Sequence, residues 1–180
     1  MALSRTAWVA GGLAARLLTM AALAMSVRFM YANYTNLDYG YRDNYNKLHS
    51  YTYAVVAAAV GMAGGVLQIP VSVYLLCRSK RMVPSVLVLD VSMYADMAVC
   101  LVLASGVGAG FGATNDILQY MDHGVDWDRD TNGTRGDLTD YFHRATVAIV
   151  FLLVGMVLSV CAAVVSARLR ARAGDDSADV

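Results

Sequence analysis

Apolar residues in this chain do not recur at the spacing of a half-buried soluble helix. They gather into four long stretches: 7–30, 51–77, 83–111 and 145–167. Each reaches or exceeds the roughly 20 residues that an α-helix needs to cross about 30 Å of hydrocarbon. Between and beyond them lie three connections richer in polar residues, 31–50, 78–82 and 112–144, and two short ends, 1–6 and 168–180. The pattern predicts an all-α integral membrane bundle of four helices. The first stretch also has the place of a signal peptide. Its 24 residues are too long for that segment's apolar core, and Arg16 and Arg28 lie inside it. A retained first span is expected.

Composition agrees. Of the 180 residues, 58% are hydrophobic and 16% charged, too little charge to cover a soluble domain of this size. The formal net charge of zero hides a polarised molecule. Arg5, then Arg78, Lys80 and Arg81, then Arg168, Arg170 and Arg172 crowd the membrane ends on one side. The other side spreads its cations over longer, acid-rich connections. Basic residues hugging the membrane mark the cytoplasmic side, so both termini are expected there. The sequons Asn33-Tyr34-Thr35 and Asn132-Gly133-Thr134 then fall outside, as candidate glycosylation sites. The cysteines, Cys77, Cys100 and Cys161, leave both outer connections empty, so no disulfide can join those connections. Cys77 beside Arg78 is a candidate for acylation, against a reading of all three as small buried apolar residues.

Charges inside the apolar stretches are the sharpest chemical feature. Arg16 lies about 15 Å into the first stretch and Asp96 about 18 Å into the third, entering from the same side. An isolated charge at that depth costs ~2.5–3.5 kcal/mol on insertion scales. Pairing offsets most of this, so an Arg16–Asp96 ion pair is expected, with Asp90 as the competing partner. On that basis the first and third spans are expected to be neighbours. Such a pair is either a clamp that fixes helix register or part of an ion pathway. The outer halves of the spans hold mainly Gly, Ala, Val and Leu, which favours the clamp.

Small residues form ridges of the kind that let membrane helices approach closely. They run Ala57-x-x-x-Gly61-x-x-x-Gly65 in the second stretch, and Gly106-x-x-x-Gly110 overlapping Ala104-x-x-x-Gly108-x-x-x-Gly112 in the third. They serve contacts within one bundle or a seam between copies. Pro70 predicts a kink in the second helix.

The connections offer weaker chemistry. Residues 31–50 are rich in Tyr, either an interfacial aromatic belt or a contact surface. Asp128-x-Asp130-x-Asn132-Gly133 resembles the first half of a calcium loop, but Thr139 stands where the closing acid belongs. His49, His123 and His143 have no metal-ligand spacing. No cofactor is implied, and neither nucleic acid nor a small-molecule substrate is indicated. The chain has no Cys-x-x-Cys, no His box and no nucleophile motif, so no enzyme activity is expected.

Three segments resemble a known family. They are Arg16-Leu17-Leu18-Thr19-Met20-Ala21-Ala22; Ser50-Tyr51-Thr52-Tyr53-Ala54 with Leu67-Gln68; and Tyr94-Ala95-Asp96-Met97 with Leu103-Ala104-Ser105-Gly106. Their order and spacing are similar to those of plant Casparian strip membrane domain-like proteins, related to the MARVEL group of four-span proteins. The resemblance covers nearly the whole chain. It implies a plasma-membrane protein that associates with itself or its relatives, as a homo- or hetero-oligomer. It also implies a scaffold that organises a membrane platform and directs local cell-wall modification. A Tyr-rich segment stands where the founding members carry a characteristic first-loop signature, so only the general scaffold role carries over.

Overall fold

The computed structural model describes residues 5–37, 41–44, 48–77, 86–123 and 132–178. Four α-helices dominate: α1 (Arg5–Ala32), α2 (His49–Cys77), α3 (Val86–His123) and α4 (Asn132–Ala178). All four contain segments long and apolar enough to cross a membrane. The architecture is an all-α four-span bundle. It carries one addition, a two-stranded antiparallel ribbon in the first connection, β1 (Tyr34–Leu37) with β2 (Tyr41–Asn44). Tyr and Thr at 34, 35 and 41 suit extended backbone. Pairing runs from Tyr34 opposite Asn44 to Leu37 opposite Tyr41, and β1 lies beside α4.

The helices run alternately up and down in a ring, so α1 touches α2 and α4, and α3 touches α2 and α4. The expectation that the first and third spans are neighbours is therefore corrected: α1 and α3 stand diagonally across the bundle. The reason lies in the side chains. A long Arg and an Asp reach across the bundle axis where glycines keep α2 close to both. A Cβ on Gly61 would stand 2.8 Å from Leu23 and 2.9 Å from Leu103. One on Gly64 would stand 2.6 Å from Val99, and one on Gly65 3.0 Å from Met20. The α2 ridge is thus an internal contact with α1 and α3.

The core is built in two layers. One layer gathers Leu23, Ala54, Ala58, Leu103, Val107 and Leu152. The other, the outer layer, lies at the bundle end away from both chain termini and gathers Met30, Tyr51, Met121, Tyr141, Phe142 and Ile149. In this second layer Tyr141 and Phe142 meet edge to face at 5.3 Å, a favoured aromatic geometry. Tyr51 shares a hydroxyl hydrogen bond of 2.7 Å with Thr114, and Phe29 stacks on Phe151 at 5.3 Å.

Two helices extend past the expected spans. α3 has 38 residues and α4 has 47, or about 57 and 70 Å at the usual rise. Much of the expected loop 112–144 is therefore helical. Hydropathy averaged over a window hides why, but periodicity does not. Thr114, Ile117, Leu118 and Met121 on α3, with Leu138, Tyr141, Phe142 and Ala145 on α4, recur at helical spacing and face the outer core layer. An exposed ion pair, Arg135 to Asp122 at 3.0 Å, links the same two extensions.

Pro70 stands inside α2, which continues to Cys77. Lacking an N–H, it cannot bond the carbonyl four residues back. Two residues on, the Ser72 hydroxyl donates to the Gln68 carbonyl at 3.0 Å.

Candidate functional site

A polar centre sits within the apolar bundle, toward the end that holds both termini. Arg16 comes from α1, Asp96 from α3 and Ser166 from α4. Arg16 Nη2 donates to Asp96 Oδ2 at 2.7 Å and to Ser166 Oγ at 3.0 Å. The Ser166 hydroxyl in turn donates to Asp96 Oδ2 at 2.7 Å. The three side chains close a triangle that ties three helices at one level. Arg16 and Asp96 are 6% and 5% exposed. Burying opposite charges is tolerated when hydrogen bonds satisfy what the partner leaves over, and Ser166 does part of that.

The remaining helix, α2, contributes Gln68, 6% exposed. With Arg16, Thr19, Asp96 and Ser159 it lines a cavity of about 20 Å³. That is room for roughly one water molecule, not for a continuous path through the bundle. Just above, Cys100 and Ser159 approach at 3.3 Å. The centre therefore has the geometry of a fastening: short bonds, several helices and little free volume.

Residues 5–158 match the Casparian strip membrane protein domain. This chain belongs to that family. Curated relatives agree. The chain is 30% identical to CASP-like protein 4D1 of Sorghum bicolor over 77% of its own length and 79% of the relative's. It is 25% identical to CASP-like protein 4D1 of Ricinus communis over 84% and 83%. It is 28% identical to the protein of the same name from Populus trichocarpa over 84% and 79%. No solved structure matches the chain. Arg16 and Asp96 lie within the region matching the Casparian strip domain, whereas Ser166 lies beyond it.

The structure brings some of the sequence candidates together and separates others. Arg16 meets Asp96 directly, while Asp90 lies half-buried nearer the start of α3. Asn33, a candidate glycan acceptor, is only 2% exposed, and its Nδ2 donates to the Tyr141 carbonyl at 2.9 Å. That nitrogen is the atom a glycan would need, so modification of Asn33 is incompatible with this packing. Asn132 begins α4 and Cys77 ends α2, but their side chains lie outside what is described. Asp128 and Asp130 of the half calcium loop also lie outside the described residues. Among the described residues no cluster of His, Cys, Asp or Glu is placed to hold a metal.

Sequence reading missed Ser166, the Tyr51–Thr114 bond and the Asn33–Tyr141 bond. Ser166 is a hydroxyl in an apolar run, near the same membrane end from which Arg16 and Asp96 were counted, and that depth was the available signal. Asn33 had no such signal, because its partner is a backbone carbonyl.

Proposed function

We propose that this chain is a non-catalytic plasma-membrane scaffold. It associates with itself or with related four-span proteins to organise a membrane platform linked to local cell-wall modification. The observation that carries this reading is the division of the α3 small residues between two faces. A Cβ on Gly106 would stand 2.7 Å from Ala57, and one on Gly110 3.0 Å from Ile149, so that ridge is spent inside the bundle. Ala104, Gly108 and Gly112 are exposed, and nothing lies within 4 Å of a Cβ placed on either glycine. Lipid supplies little hydrophobic drive for helix association, so a flat small-residue stripe is a surface on which another helix packs closely. Family membership supports the membrane platform.

In this reading both termini are cytoplasmic, with 31–50 and 112–144 outside, as the Lys/Arg distribution favours. Asn132 is then the glycan acceptor. The Arg16–Asp96 pair is a clamp that holds the surface in shape.

Crosslinking with mass spectrometry in native membranes tests the scaffold. Wild type is expected to crosslink to itself or a relative through α3. The double substitution Gly108→Leu and Gly112→Leu should weaken that contact about tenfold, as loss of roughly 1.4 kcal/mol would. A wild-type chain that stays monomeric and without partners sinks the proposal. So does ion flux in reconstituted vesicles that Asp96→Asn abolishes while assembly is intact.

A further inference from the structure

Two polar groups of the buried centre are left over once the triangle is closed. Arg16 Nη1 and Gln68 Oε1 are both inaccessible to solvent and have no hydrogen-bond partner among the described residues. They belong to side chains that are each 6% exposed, and both side chains line the same cavity of about 20 Å³. Their chemistry is complementary. The guanidinium nitrogen only donates, and the amide oxygen only accepts. Two further hydroxyls, Thr19 and Ser159, line that cavity. Thr19 spends its proton on the Ala15 carbonyl at 2.8 Å, which leaves its oxygen lone pairs as acceptors. Ser159 shares one contact with Cys100.

We propose that this cavity is a binding site for a single structural water. It accepts from Arg16 Nη1 and donates to Gln68 Oε1, with its second proton available to Thr19 or Ser159. Three considerations select water over other small ligands. The volume fits about one water. The site presents both a donor and acceptors, as water requires, whereas a bare anion calls for donors alone. The Asp96 carboxylate at the cavity wall repels an anion, and the Arg16 guanidinium beside it repels a cation. Buried waters typically make about three hydrogen bonds to polar groups that the protein leaves over, and this cavity supplies that number. The water adds a link from α2 to Arg16 on α1, beside the hydrogen bond that the Gln68 side chain makes to Asp96. This site is independent of the scaffold reading and of the stripe on α3.

Water-edited solid-state NMR of the full chain in phosphatidylcholine vesicles tests it, with arginine side chains labelled in ¹⁵N. The Arg16 signal is identified by its loss in Arg16→Lys. In wild type, magnetisation should pass from water to the Arg16 side chain despite its burial. In Gln68→Met, which removes the acceptor at similar volume, that transfer should be lost. Absence of transfer to Arg16 in wild type overturns the proposal. Transfer that persists undiminished in a folded Gln68→Met also overturns it. So does a shift of the Arg16 signal on chloride titration, which would assign the cavity to an anion.

Discussion

Asn33 and Asn132 each open a sequon, and of the two only the Asn33 side chain lies within the described residues. The Asn33 amide is buried against the Tyr141 carbonyl and ties the end of α1 to α4. Losing that bond and its packing in Asn33→Ala should cost about 1–3 kcal/mol of bundle stability, measured by thermal unfolding in detergent. The same substitution should leave the glycosylated mass unchanged on a gel, while Asn132→Gln removes the shift. A shift lost in Asn33→Ala would show that the nitrogen is exposed to the transferase. The sequon alone could not separate the two sites, because a motif of three residues says nothing about what packs on it. Arg16 and Asp96 were legible for the opposite reason. A charge deep in an apolar stretch has so few solutions that depth favours Asp96 as the partner, with the shallower Asp90 as the competitor. What depth cannot give is the route between them, and the pair proved to cross the bundle diagonal.

The four apolar stretches locate the helices because every backbone group in lipid must be satisfied within its own segment. They do not locate the helix ends. Outside the hydrocarbon, length is set by packing, and α3 and α4 continue because Ile117, Leu118, Leu138 and Phe142 keep facing the outer core layer. Hydrogen–deuterium exchange in lipid nanodiscs should therefore show protected amides through 114–121 and 138–145. Exchange as fast as in an unstructured peptide would contradict these extensions. The Tyr-rich first connection shows a related limit. Its composition read as a belt or a contact surface, whereas part of it pairs as a β-ribbon. Pairing between two short segments is a tertiary matter that composition does not encode. The α3 glycines divide in a similar way. Two overlapping ridges look alike in sequence, and only the ring order of helices shows that Gly106 and Gly110 turn inward while Gly108 and Gly112 turn outward.

At the scale of the molecule, the bundle is an alternating ring whose outer end is fastened by aromatics and whose other end is fastened by charge. Alternation puts both chain ends on one side of the membrane. The excess of Lys and Arg there predicts that tags at either terminus are reached only after permeabilisation, whereas a tag near Asn132 is reached in intact cells. A tag near Asn132 that is shielded until permeabilisation would invert the topology. Between the two fastenings lie closely packed small residues, so the shape of the exposed α3 stripe depends on the charged pair holding. The most direct test of that dependence is a double-mutant cycle on the clamp, with folded fraction in lipid vesicles as the readout. Arg16→Leu or Asp96→Leu alone should destabilise the bundle by about 3–5 kcal/mol, because each strands a buried charge. Combining them should restore most of the loss, since an apolar pair of similar volume leaves no charge unpaired. Single variants as stable as wild type, or losses that simply add in the double variant, would contradict the account.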